Sequence, residues 1–267
     1  MKKINNIIFF MSFIIFFYLQ SNIINSRDEK NNHYSVLKTI NEDVFIIGDI
    51  HGTKEIAFTF SELIRSAVIN KEKPIVIIEL PKTNTEYLCN IDNMNILYKK
   101  DMYWRNGFKD GRTSVAMHDM VCSFLYNKNN KRLKLLFLES FSNDEKLLEE
   151  IIKQKEDGYG PVYILIGNNH ARVGKEEQSL ATVLEDSGMK ILSLTVTAVS
   201  GSAWVCTSSS RSSCGVQKLE MNFCGLEADD RRPVVLQRAE IRRTRAFPWD
   251  GCFNIVKATP SMPKFPE

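Results

Sequence analysis

Residues 44–55 read VFIIGDIHGTKE, from Val44 to Glu55. Four apolar residues, Val44 to Ile47, run directly into Gly48, Asp49, Ile50, His51 and Gly52. A short, unbroken apolar run bounded by a turn signal is the pattern of a strand buried on both faces. The same pattern recurs at Ile75–Ile78 (IVII), Leu133–Leu138 (LKLLFL), Val162–Ile166 (VYILI) and Ile191–Val196 (ILSLTV). Between these runs, Ile56–Val68, Thr113–Leu125, Glu145–Ile152 and Glu177–Leu184 carry apolar residues at helical spacing, and Gly188 closes the last of them. Strand runs alternating with helical runs predict an α/β fold, with a mostly parallel sheet of about five strands and helices on both faces.

The chain has 267 residues, enough for one domain with a substantial core. Its 43% hydrophobic and 25% charged content is that of a globular protein. The formal net charge is +3, and Lys2 and Lys3 supply two of those charges in a leader-like segment, so 3 − 2 leaves +1 for the remainder. That balance argues against nucleic acid as a partner. Residues 1–26 place those lysines before an apolar run from Ile7 to Leu19, followed by polar residues, which is the plan of a secretory signal. The run is short for a membrane span, and the expected location is outside the cytoplasm, in a periplasm or the extracellular space. An uncleaved N-terminal anchor is the alternative and would be the chain's only membrane attachment. The six cysteines, an even number, suggest disulfides in an exported chain. Cys206 and Cys214 bracket a Ser-rich loop and are the favoured pair. The other pairings stay open, with Cys89 and Cys122 either bridged or buried thiols. The expected domains are the signal (1–26), an α/β domain (27–200), and a Cys/Arg-rich, disulfide-linked extension (201–267) packed on it and adding edge strands.

In open α/β sheets, ligands sit at the carboxyl ends of the strands. The first run is followed by Gly48, Asp49, His51 and Glu55, and the second by Glu79. Glu139 follows the third, Gly167 and His170 the fourth, and Thr195 and Thr197 end the fifth. Two of the four histidines thus stand as Gly-x-x-His directly after strands. Two imidazoles and nearby carboxylates at one edge are donors for a divalent Zn, Mn, Co or Fe ion, with His51, Glu79, Glu139 and His170 as its ligands. Such an ion would activate water and polarise a carbonyl or phosphoryl oxygen. Without metal, the same groups suit acid–base chemistry, with a histidine as base and a glutamate orienting it.

Two known signatures share parts of this pattern. Calcineurin-like metallophosphoesterases begin with Asp-x-His and end with Gly-Asn-His-Glu. Asp49-x-His51 fits the first motif and Gly167-Asn168-Asn169-His170 loosely echoes the last, but the central Gly-Asp-x-x-Asp-Arg-Gly is missing and Ala171 replaces the final acid. The grouping of erythromycin esterases, ChaN-type haem-binding lipoproteins and Tiki and TraB proteins is the better match. GDIHGTKE resembles the esterases' Gly-Glu-x-x-His-Gly-Thr-x-Glu, one residue shorter. Gly48-x-x-His51, Gly167-x-x-His170 and Glu79 resemble the two Gly-x-x-His motifs and strand-end Glu of Tiki-like members. WRNGFKDGRTS (Trp104 to Ser114) resembles an Asp-Gly-Arg-Ser-Ser stretch of ChaN/Tiki-like members. The resemblance covers residues 40–200. It implies an exported metal-dependent hydrolase of ester or peptide bonds, acting on a small molecule or peptide. His51, Glu79 and His170 would carry the chemistry, Glu55 and Glu139 would support it, and Arg112 would orient substrate. Haem or iron binding without turnover is the alternative it implies. His118, beside Val121, Phe124 and Leu125, is expected at the edge of the core, and His33 in a linker. The arginines from Arg231 to Arg245 are interleaved with acids and read as a partly self-neutralised face.

Overall fold

The structure is a computed structural model that describes residues 42–80, 89, 111–129, 131–138, 144–174, 179–207, 213–225, 234–238 and 243–263. The leader, His33, Glu139, Arg231, Arg232 and Arg242 lie outside the described residues. The elements in chain order are β1 (Val44–Asp49), α1 (Lys54–Ile69), β2 (Ile75–Ile78), α2 (Val115–Asn129), β3 (Lys134–Phe137) and α3 (Asp144–Glu156). These are followed by β4 (Val162–Gly167), α4 (Leu180–Asp186), β5 (Ile191–Cys206), β6 (Cys214–Lys218), β7 (Val234–Arg238) and β8 (Gly251–Ala258). A short 3-10 turn, Asn168–Ala171, leaves the end of β4.

Strand order is β3-β2-β4-β1-β5-β8-β7, and β6 pairs with the outer half of β5. The pairings from β3 through to β8 are parallel, and those of β7 with β8 and β6 with β5 are antiparallel. The α/β class and the largely parallel sheet therefore match the sequence pattern, but the sheet is wider than the five strands expected. The tail supplies β8 directly beside β5, with β7 outside it. Its pattern hid β8 because the strand reads GCFNIVKA, with Asn254 in the middle of a fully buried stretch. Thr197 Oγ1 donates a hydrogen bond to Asn254 Oδ1 at 2.5 Å, so the hydroxyl and the amide oxygen pair inside the sheet. The boundary expected at residue 200 falls within β5. Residues Asn41–Glu267 group as one compact unit.

Both faces of the central strands are buried, which is why they read as continuous apolar runs. Val44, Ile46, Ile75, Ile77, Ile164 and Ile166 form one core with Leu147 and Ile151 of α3 and Leu180 and Leu184 of α4. The alternate residues, including Phe45, Ile47, Val76 and Tyr163, serve the opposite face, and Phe45 stacks on Tyr163 at 5.2 Å between ring centres. Helices α1 and α2 pack together there, with Phe60 edge-on to Phe124 at 6.0 Å. In α4, the Ser179 side chain accepts a hydrogen bond from the Thr182 N–H, capping the helix start. Helix α1 has no such side-chain cap from Thr53.

Three disulfides are present: Cys89–Cys122, Cys206–Cys214 and Cys224–Cys252. The favoured Cys206–Cys214 pair is among them, and Cys89 and Cys122 are bridged rather than free. Among the described residues no helix is long and apolar enough to cross a membrane.

Candidate functional site

Strands β2, β4 and β1 are neighbours, and their carboxyl ends bring Glu79, Gly167 with His170, and Asp49 with His51 to one edge. Asp49 pairs with Gly167 across β1 and β4, so the two Gly-x-x-His turns leave the sheet at the same level. The cleft there measures ≈ 410 Å³. Asp49, His51, Glu79, Arg112 and His170 are its ionisable lining, and Val205, Cys206 and Met221 form a wall from the β5–β6 hairpin and the segment after it.

The end of β1 sets the orientation of His51. Asp49 is the last strand residue, 5% exposed, and its Oδ2 lies 2.9 Å from His51 Nδ1. A carboxylate has only acceptor sites, so the proton belongs on Nδ1, and the neutral ring keeps an Nε2 lone pair. His51 Nε2 is 3.9 Å from Glu79 Oε2, too far for a hydrogen bond but close enough to stabilise an imidazolium electrostatically. Glu79 is 7% exposed and fully engaged: Arg112 donates to Oε1 at 2.6 Å, and the Gly167 N–H donates to Oε2 at 2.6 Å. A Cβ placed on Gly167 would lie 3.1 Å from Glu79 Oε2, 3.4 Å from His51 Nε2 and 3.6 Å from His170 Cδ2. The three side chains therefore converge over this glycine.

Asn168 anchors the turn that carries His170. Thr195 Oγ1 donates to Asn168 Oδ1 at 2.7 Å, and the same amide oxygen packs onto Gly48 where any side chain would overlap it. Gly111 plays the matching role beside Arg112. Its φ is +96°, and a Cβ there would collide with the His51–Gly52 backbone. Gly111→Ala is therefore expected to destabilise the chain by about 1–3 kcal/mol and to displace His51 from Asp49. Denaturant unfolding checks the first effect and imidazole NMR the second.

His170 has its pKa held below the ordinary 6.5, chiefly by burial. Glu79 opposes the shift, while Arg112 and His51 add to it. The sign follows directly: between the lowered folded value and 6.5 the unfolded chain binds more protons, so stability falls as pH drops through that window. An NMR titration of His170 is expected to give a midpoint below 6.5, and His170→Asn should flatten the pH dependence of unfolding there.

Of the residues expected to act together, His51, Glu79, His170 and Arg112 are brought into one cleft. Glu55 is not; its Oε2 accepts the Thr259 N–H at 2.9 Å outside the cleft lining. Glu139 lies outside the described residues. His118 is 7% exposed on α2 beside Asp119, away from this edge. Arg243 is held by Asp250 and Glu185, a self-neutralised corner. The Asp49–His51 pairing and the Asn168 anchor were not apparent from the sequence. The only signal for them was their position within two residues of the histidines or glycines concerned.

Two imidazoles and a carboxylate are the right donor types for Zn, Mn, Co or Fe. Each Glu79 oxygen already accepts one hydrogen bond, as metal-ligating carboxylates also do. Among the described residues no three His, Cys, Asp or Glu side chains stand grouped around a common ion position. Fold and site together define an α/β protein with an Asp–His pair, a part-buried Glu–Arg pair and a second histidine at the carboxyl edge of a parallel sheet. Comparison with protein-family models, with curated proteins and with solved structures finds no match.

Proposed function

We propose that this chain is an exported hydrolase of ester or peptide bonds. The observation that carries the reading is the Asp49-oriented His51 ring, its Nε2 converging with Glu79 and His170 over Gly167. The resemblance to the esterase, ChaN and Tiki grouping supports it. The leader-like segment and the three disulfides support export. The substrate carbonyl enters the cleft above Gly167. His51 Nε2 takes a proton from water as the water oxygen adds to the carbonyl carbon. Asp49 holds the ring in one tautomer, and Asp49 and Glu79 together offset the charge that the ring gains. Arg112 opposes the negative charge on the carbonyl oxygen. As the tetrahedral adduct collapses, the proton passes from His51, directly or through neutral His170, to the leaving alcohol or amine. An acid and an alcohol or amine are released.

A second reading, haem or iron binding without turnover, is favoured by the same Asp49–His51 pair. Metal-bound imidazoles take this kind of carboxylate partner on their other nitrogen. One experiment separates the two: a screen of aryl esters and short peptides with and without chelator, run beside a haemin titration. Hydrolysis lost in His51→Gln supports the first reading. A Soret shift lost in His170→Ala, with no turnover of any ester or peptide, overturns it in favour of the second.

A further inference from the structure

The segment Thr259–Pro263 is a strap laid across the starts of both helices on the α1–α2 face. Thr259 O accepts the Lys54 N–H at 2.9 Å, and Met262 O accepts the Val115 N–H at 2.9 Å. Short bridges join Thr53 to Pro260 and Ser114 to Pro263. Ser261 lies at the centre and is 1% exposed. Its backbone N–H donates to Gly52 O at 2.7 Å, and its Oγ accepts the Ala116 N–H at 3.0 Å. Gly52 directly follows His51, and Ala116 stands in the first turn of the helix that begins just after Arg112. One residue near the end of the chain thus ties the His51 loop to the Arg112 turn. It also completes the N-terminus of α2, whose unpaired N–H groups need an acceptor.

We infer that Ser261 is a positioning residue: it sets the His51 loop against the rigid end of β1 and so preserves the His51–Asp49 hydrogen bond. Asp49 belongs to a strand paired on both sides, whereas His51 stands on a turn. Their 2.9 Å contact is therefore sensitive to the tilt of that turn. Gly52 O is held by two donors, the Ser261 N–H and the Trp204 N–H at 3.1 Å. Without the Ser261 hydroxyl, the strap keeps its backbone bonds to Val115 and Gly52 but loses the side-chain key to Ala116 that fixes Ser261 between them. The consequence for turnover rests on the hydrolase reading; the consequence for the His51 ring does not.

The test uses the full chain with Ser261→Ala, Ser261→Thr and Ile151→Val. The last is a core change in α3, remote from the strap. The nitrogen shifts of the His51 ring report its tautomer. Ser261→Ala is expected to fold, to move the ring from the Nδ1-protonated form toward a mixed pattern, and to lower kcat about tenfold with KM little changed. Ser261→Thr, which keeps the hydroxyl, is expected to restore both, and Ile151→Val to change neither. An unaltered tautomer in Ser261→Ala, or an equal change in Ile151→Val, overturns the inference. If the ring pattern responds as expected but the unmodified protein turns over no ester or peptide, positioning stands and the hydrolase reading fails.

Discussion

On the proposed hydrolase reading, Asp49→Asn is expected to lower hydrolysis by about 10²–10⁴-fold, as His51→Gln is, because it removes the base without removing the histidine. The Asp49 carboxylate can only accept, which fixes the proton on His51 Nδ1. An asparagine amide can donate to Nδ1 instead, which transfers the ring proton to Nε2 and leaves no lone pair toward water. The stability effect has the opposite sign. Asp49 Oδ1 is buried with no hydrogen-bond partner, so the native chain carries an incompletely satisfied carboxylate. The neutral amide lessens that penalty, and the thermal midpoint should hold or rise. His51→Gln keeps a donor for Asp49 Oδ2 but supplies no base. Paired measurements of kcat and thermal unfolding on both variants check this. Activity retained by Asp49→Asn would remove the pair from the chemistry and leave it a structural bond.

Much of this site could be read from the strand ends. Gly48, His51, Glu79, Gly167 and His170 were placed by one rule, that chemistry gathers where parallel strands stop. That rule works because such strands are apolar throughout and their ends are conspicuous. Asp49 was harder, since Gly-Asp reads as a turn, yet β1 continues through Asp49 and buries it. Glu55 misled because an acid in the first turn of a helix suits both a site and a helix dipole. It serves the backbone of Thr259, a partner 204 residues away that no local pattern announces. The Glu79–Arg112 ion pair, 33 residues apart, depends on the crossover between β2 and α2. Strand β8 was obscured by Asn254, whose burial makes sense only beside Thr197. For Glu55, Arg112 and Asn254 the missing information was the identity of a distant partner.

Removing the Cys89–Cys122 bridge by Cys89→Ser with Cys122→Ser is expected to lower the unfolding free energy by about 3–4 kcal/mol. The bridge closes a loop of 33 residues, and the loss of loop entropy from the unfolded chain grows with the logarithm of that length. Cys224–Cys252, with a separation of 28, should contribute a similar amount, and Cys206–Cys214, with a separation of 8, about 1 kcal/mol less. Guanidinium unfolding of the three double variants checks the ranking. The first bridge also has a local consequence. Cys89 lies in the crossover between Glu79 and Arg112, and Cys122 lies on the helix that starts just after Arg112. Cutting the bridge lengthens the free chain between the two members of the ion pair, so the variant should lose kcat more steeply with temperature than the other two. The disulfide would then hold the Glu79–Arg112 pair over Gly167 as well as stabilise the fold. A variant with less than about 1 kcal/mol of lost stability would mean that this bridge contributes little to the fold. An oxidising compartment would then matter to this chain through the Cys206–Cys214 and Cys224–Cys252 bridges, the second of which ties β8 to the segment after β6.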